Sequence, residues 1–443
     1  MRRFPAWTMF FAIATLSTVS EIAAQKAQEV PPPQPETSCV KCHGESELWE
    51  GDLRRLYVTA KDLAQDIHWQ KGIQCHECHG GDATSSNFIE AHSLESGFHS
   101  FKSPAEIPES CGRCHSDVVY MRRYRPSPRT DQLTEYWTSG HGQRLKSAQD
   151  PKVATCVSCH GGHGIRAVKD LESRVYPTHV AETCSTCHSN AALMAGRQYH
   201  GRPLTHNQHE LWRESVHGRA LLDKGDLSAP TCNDCHGNHG AVPPEVDSVA
   251  NACGTCHTKV GALFAETRMK HRFEETKLPG CATCHSHHLI RSPSDEMLGM
   301  TEGAVCVRCH ETGQFGATTA GATVARTMRS GLEQLKRQIS EAEQKLAQAE
   351  RLGMEVRGPR FELRKALDAL TNARSLVHGF SPAPMTGAID GGLEVSTRVT
   401  EKAELALREH TARRVWLAVS LVPILIVVAL LVLYIRTLPP AAR

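Results

Sequence analysis

Two uncharged apolar runs stand near the ends of the 443-residue chain. Trp7 to Val19 follows Arg2 and Arg3 and precedes Ile22-Ala23-Ala24, the charged, apolar and small-residue order of an export signal. Residues 1–24 are therefore expected to lie outside the mature fold, and Pro31-Pro-Pro-Gln-Pro35 makes residues 25–38 a stiff, proline-rich linker. Val415 to Ile435 is long enough to cross about 30 Å of hydrocarbon at about 1.5 Å per residue. Trp416 and Tyr434 edge this run, and Arg413, Arg414 and Arg436 flank it.

Ahead of that run a helical period appears. Met328, Leu332, Leu335, Ile339, Ala342, Leu346 and Ala349 recur at spacings of four and three, which predicts a heptad-like helix ending near Gly353. Gly358-Pro359 and the segment from Ser381 to Gly387 read as breakers. They imply a second helix to about His378 and a third from about Leu393 that continues into the apolar run. Residues 311–412 thus read as a helical stalk or coiled-coil region, and residues 413–443 as a transmembrane helix with a short tail.

The intervening segment carries one motif nine times. C-x-x-C-H occurs as Cys39, Cys42 and His43; as Cys75, Cys78 and His79; as Cys111, Cys114 and His115; as Cys156, Cys159 and His160; and as Cys184, Cys187 and His188. It returns as Cys232, Cys235 and His236; as Cys253, Cys256 and His257; as Cys281, Cys284 and His285; and as Cys306, Cys309 and His310. These copies use all 18 cysteines. Two cysteines three apart share one face of a helical turn, where they form thioethers with the two vinyl groups of a haem, and the following histidine supplies the proximal imidazole. Disulfides, tetrahedral zinc and a thioredoxin-like pair each leave the histidine after every second cysteine unexplained. The expectation is nine covalently bound haem c groups in a domain spanning residues 39–310, attached outside the cytoplasm.

Of the 26 histidines, 17 remain, a surplus suited to a second imidazole on each iron. An internal repeat sorts them. His141 and His217 each stand 15 residues before a first cysteine, and His163 and His239 each stand three after the proximal histidine. A looser copy has His271 ten before Cys281 and His288 three after His285, while a fourth keeps His68 seven before Cys75. A histidine three beyond the proximal one bends back poorly to its own iron, so His163, His239 and His288 are read as ligands of neighbouring haems. His92 is a further candidate, and His378 or His179 could cap the ninth iron. The chain reads as one leading haem followed by four pairs.

Composition supports the same picture. Aromatic residues make up only 5% and mean hydropathy is −0.36, thin for a large side-chain core. The fold class expected is mainly α with long loops wrapped around stacked haems, followed by the helical stalk and the C-terminal transmembrane helix. Net charge is +2, so nothing points to nucleic acid.

The paired motifs, with Ser-x-His-Gly upstream and Cys-His-Gly-x-His-Gly at the core, resemble the low-potential multihaem cytochromes of anaerobic bacterial respiration. More distantly the chain resembles octahaem enzymes of the hydroxylamine oxidoreductase and tetrathionate reductase type. The resemblance implies a periplasmic, membrane-anchored electron-transfer protein working with redox partner proteins, in particular a quinone-linked membrane complex. The membrane-bound quinol-oxidising cytochromes anchor through an N-terminal helix and carry fewer haems, and no C-x-x-C-K variant occurs here. Two functions remain open: a relay whose irons are all six-coordinate, with no catalytic residues, and a reductase of a nitrogen or sulfur oxyanion with one open haem.

Overall fold

The computed structural model describes residues 37–199, 201–242 and 252–437. The expected export signal, most of the proline-rich linker and the tail after Thr437 lie outside the described residues. Among the described residues the fold is almost wholly helical, and the strands are two dipeptides, Gln198–Tyr199 and Arg202–Pro203, paired antiparallel.

The chain forms two compact units. The first comprises residues up to 100 together with the short segment 163–165. Its helices are single turns, among them Ser38–His43, Ile67–Gln70 and Cys75–His79. Asp66 organises this unit: its carboxylate caps Ile67–Gln70 through the His68 and Trp69 amides and accepts the Ile165 amide at 2.9 Å. The Ile67 amide returns a bond to the Ile165 carbonyl at 2.7 Å. Segment 163–165 is thereby fastened into the unit.

The second unit holds residues 101–162 and 166–443. Its haem-motif portion has small side-chain clusters, Tyr136 with Leu145 and Val153, and Ala181 with Trp212 and Leu221. The large apolar core lies instead in a three-helix bundle. The first bundle helix, Thr319–Arg351, buries the heptad stripe expected from the sequence. The second, Arg357–Leu376, buries Leu363, Ala366, Leu370 and Ala373. The third, Pro382–Thr437, contributes Met385, Ile389, Val395, Val399 and Ala403.

Two expected breakers behave differently from the sequence reading. Gly358 and Pro359 fall in the first turn of the second helix, and the third helix starts at Pro382 instead of near Leu393. Proline is tolerated there because first-turn amides have no intrahelical acceptor and its φ is already helical. Gly392 sits inside the third helix because a Cβ there would come within 2.9 Å of both Leu335 methyls, so glycine sets the interhelical spacing. The third helix then continues without interruption through residues 415–435, which are exposed and apolar enough to cross a membrane.

Candidate haem-binding sites

Local chemistry builds each motif as a helix end. Cys156–His160 and Cys232–His236 are five-residue helices capped reciprocally, Thr155 with Ser158 and Thr231 with Asp234, so a residue between the cysteines completes the cap. Both stop at a glycine with φ near +90° and extended ψ, Gly161 and Gly237, a region side chains rarely enter. The looser copy at Cys281 puts Ser286 in that conformation, at φ 66° and ψ −175°. In the first two repeats the second motif ends a longer helix, Glu106–His115 and Pro177–His188.

The Ser-x-His-Gly segments are helix junctions. Ser139 closes one helix and opens the next, accepting from the Gly142 amide at 2.9 Å while its hydroxyl donates to the Tyr136 carbonyl at 2.6 Å. Ser215 likewise accepts from Gly218 at 3.1 Å. The intervening histidines, His141 and His217, are thereby fixed in the first turn of a helix.

Among the described residues, seven motif histidines face a second imidazole. In the first unit His43 meets His92 and His79 meets His163, each with ring centres 6.1 Å apart. In the second unit His160 meets His239 at 6.3 Å, His188 meets His141 at 6.1 Å and His236 meets His288 at 6.0 Å. There, too, His257 meets His217 at 6.3 Å and His285 meets His378 at 6.0 Å. A metal–imidazole bond is about 2 Å and the ring centre lies a little beyond its nitrogen, so two axial imidazoles on one metal stand roughly 6 Å apart. The donor set therefore fits an iron porphyrin seated between each pair.

Hydrogen bonding orients the rings for the same purpose. His43, His92, His236 and His378 place Nδ1 against the carbonyls of Leu56, Phe88, Val242 and Ser375, at 2.8 to 3.1 Å. A carbonyl only accepts, so Nδ1 carries the proton and Nε2 keeps its lone pair. Burial, with a second imidazole nearby, pushes His141 and His288 down to about 4. Burial also lowers His79, His188, His217, His236, His239 and His285, so these rings stay neutral, as a metal ligand must.

Within each unit consecutive motifs are neighbours. The leading sulfurs of Cys39 and Cys75 interact in the first unit, and those of Cys111 and Cys156, Cys184 and Cys232, and Cys253 and Cys281 in the second. Cys159 lies close to Cys187, Cys235 to Cys256, and Cys284 to Cys306. From the third motif to the ninth, spatial order follows chain order.

The motif spacing makes all 18 cysteines equivalent, and the structure separates them. In the first unit the trailing Cys42 and Cys78 are exposed, while their leading partners Cys39 and Cys75 are half-buried. In the second unit the trailing Cys114 and Cys309 are half-buried. Cys78 acts on Cys75 within its own motif, and Cys309 acts on Cys284 of the motif before it. Cys42 is placed through its backbone, whose carbonyl accepts the Trp49 Nε1 proton at 3.0 Å, and the Cys114 carbonyl accepts the Asp117 amide at 3.0 Å.

Comparison with known proteins agrees. Residues 226–311 match the family model described as cytochrome c3, and residues 172–258 that of cytochrome c7 and related cytochrome c. The C-type polyheme cytochrome OmcC of Geobacter sulfurreducens is 24% identical over 172 residues, 35% of this chain and 20% of that protein. The multiheme cytochrome MtrA of Shewanella baltica is 25% identical over 235 residues, 51% of this chain and 54% of that protein. The chain is a multihaem c-type cytochrome. It thus spans about a fifth and about half the length of these curated relatives, and no solved structure matches it. The matched families imply covalently bound haem c.

Several sequence candidates land elsewhere in this cytochrome. His378, expected at the ninth iron, stands against the eighth motif's His285 because the turn Val377–Gly379 reaches that motif from the bundle. His179, the other candidate for the ninth, turns Nδ1 to the Ser173 carbonyl and packs on Tyr176. His271 lies on an exposed helix face beside Glu274, 3.5 Å away. Among the described residues no second imidazole faces His310, whose Nδ1 meets the Thr318 carbonyl at 3.0 Å. His68 has Nδ1 at 3.3 Å from Asp66. Two contacts escaped the sequence: Trp49 stacks on His43 at 4.9 Å, and the His310 ring lies against Gly321, where a Cβ would come within 2.1 Å. Neither the single tryptophan nor the glycine has a repeat partner to reveal it.

Proposed function

We propose that this cytochrome binds nine haems, one on each C-x-x-C-H motif within residues 39–310, and relays electrons among them as bis-histidine centres on the periplasmic face of the inner membrane. Each haem supplies a one-electron change at iron. The protein supplies the paired neutral imidazoles, which close both axial positions and limit structural change between oxidation states. The observation that carries this reading is the set of seven imidazole pairs at 6.0 to 6.3 Å, each containing one motif histidine. Exposed Cys42 and Cys78, like half-buried Cys114 and Cys309, each supply the second thioether of their motif's haem. By their places in the repeat, His68 and His271 take the role that His141 and His217 hold.

On this reading residues 1–24 direct export, residues 311–412 form the stalk, and the helix within 413–443 anchors the protein by one span. Haem attachment outside the cytoplasm orients the span, against a local charge bias of Arg408, Arg413 and Arg414 before it and Arg436 and Arg443 after it. Electrons pass between a quinone-linked membrane complex and periplasmic acceptors in anaerobic-type respiration. Intact mass with a pyridine haemochrome assay on purified protein tests the count: nine haems are expected, and seven or fewer refute it.

A second reading attaches to the ninth motif alone. With His271 beside Glu274 and, among the described residues, no imidazole against His310, that iron would keep the open side that a nitrogen or sulfur oxyanion reductase requires. A high-spin signal in the oxidised protein that shifts with cyanide or nitrite, together with substrate turnover, would select it.

A further inference from the structure

Three observations fix the direction of the bundle relative to the haem motifs. The first and third bundle helices run in parallel register, since Gly331 packs on Ile389, Gly392 on Leu335, and Lys345 Nζ bonds Glu404 at 2.6 Å. The second runs antiparallel to the third, with Glu362 between Arg398 and Lys402. The contacts that tie the motif region to the bundle fall at 321–336 and 372–380. These are His310 on Gly321, Arg329 to the Asp295 carbonyl at 2.6 Å, Arg374 bidentate on Asp295, Lys259 on Asn372 and His285 facing His378. All lie at the level where the third helix begins, near Met385.

From Met385 the third helix runs unbroken to the apolar stretch starting at Val415. Thirty residues at about 1.5 Å each give a rise of about 45 Å. Pro423 is the one proline within the helix after its first turn, and it lies inside the apolar stretch, beyond the stalk. A three-helix core with Leu332, Leu335, Leu346 and Val399 fully enclosed keeps that length rigid.

Resting on the haem and membrane readings above, we propose that the eighth and ninth haem sites are held about 45 Å off the bilayer by this stalk. These two sites therefore exchange electrons with a protein domain in the aqueous phase, and not with lipid-dissolved quinol. Tunnelling falls exponentially with distance, and a quinol confined to the hydrocarbon does not approach a site separated from it by the full stalk.

The test uses full-length holoprotein in lipid bilayers, with haem content measured on the same preparation so that a failed haem count is recognised separately. Iron-edge X-ray reflectivity on oriented bilayers gives the iron profile for the wild type and for a variant lacking one seven-residue block from each bundle helix at matched levels. The iron profile should move toward the bilayer by about 10 Å, seven residues of helical rise. An unmoved profile, or iron at the headgroups in the wild type, overturns the proposal. In proteoliposomes loaded with a reduced lipid-soluble quinol alone, the haems should stay oxidised until a reduced water-soluble ferredoxin is added. Equally fast reduction by the quinol alone also overturns it. Circular dichroism establishes that the shortened bundle is folded; where it is not, wild-type iron height and quinol response decide.

Discussion

On the nine-haem reading, replacing His378 isolates a single haem. Its ring centre stands 6.0 Å from that of His285 with the planes 17° apart, and its Nδ1 is held by the Ser375 carbonyl at 3.0 Å. In His378→Ala the eighth iron keeps only His285, so one site in nine, about 11% of the haem, should turn high-spin. The fold should survive. One hydrogen bond to a half-buried ring contributes about 1 kcal/mol, while Leu370, Ala373, Val377 and Met385 remain to hold the turn. His378→Met should restore six-coordination at a higher potential, a shift forming part of the roughly 0.8 V that axial ligands span. Low-temperature EPR and the visible high-spin band read the first variant, and a spectropotentiometric titration reads the second. His179→Ala is the control, since its ring serves Ser173 and Tyr176. No gain in high-spin signal in the alanine variant, with an unchanged titration in the methionine variant, would refute the assignment of His378 to the eighth haem.

The imidazole planes should divide the EPR spectrum of the oxidised protein. Pairs His160–His239, His236–His288 and His285–His378, at 12 to 17°, split the iron π orbitals strongly and give rhombic low-spin signals. Pairs His43–His92 and His141–His188, at 59°, give signals of larger maximal g, and a single uniform signal would contradict the geometry. Ser286→Gly should raise stability by about 1 kcal/mol in chemical denaturation, because Ser286 holds a conformation that costs a side chain about 1–3 kcal/mol. Asp295 is held below its ordinary value of 3.8 chiefly by Arg374, so the contact it makes is present above pH 3.8 and lost as pH falls through the lower folded value. Asp295→Asn should weaken that half-exposed contact by about 1 kcal/mol. Hydrogen exchange at residues 294–305 should then become insensitive to pH in that range, where the wild type loosens on acidification.

Much of this architecture could be read from residue order because its chemistry is periodic. The stripe from Met328 to Ala349 is buried as its spacing demands. The repeat singled out His141, His163, His217, His239 and His288, all of which the structure brings to a motif histidine. What failed was local chemistry whose sign depends on position. Pro382 and Pro384 break a helix interior but begin one, so the third helix starts about 11 residues before its expected onset. His378 has no repeat to place it, and its partner is decided by how the second bundle helix meets Thr258–Ala265, with Phe380 on Phe264 and Lys259 on Asn372. The carbonyls that orient the rings are backbone atoms and leave no mark in the sequence.

The pairing has a direction that accounts for the bundle. His163, His239 and His288 each reach back to the first motif of the preceding repeat, at His79, His160 and His236, whereas His141 and His217 close the second motif of their own repeat. Each repeat thus remains incomplete until the next one folds against it, as in other repeat architectures whose units cannot satisfy themselves alone. Such a series needs a terminator. The eighth motif has no following repeat, and His378, carried on the turn between two bundle helices, fills the place that a fifth repeat would have supplied. One segment therefore completes the last pair and, through the third bundle helix, leads directly into the apolar run. Loss of the bundle should cost the eighth site its distal imidazole as well as its anchor, which ties completion of the haem array to formation of the stalk.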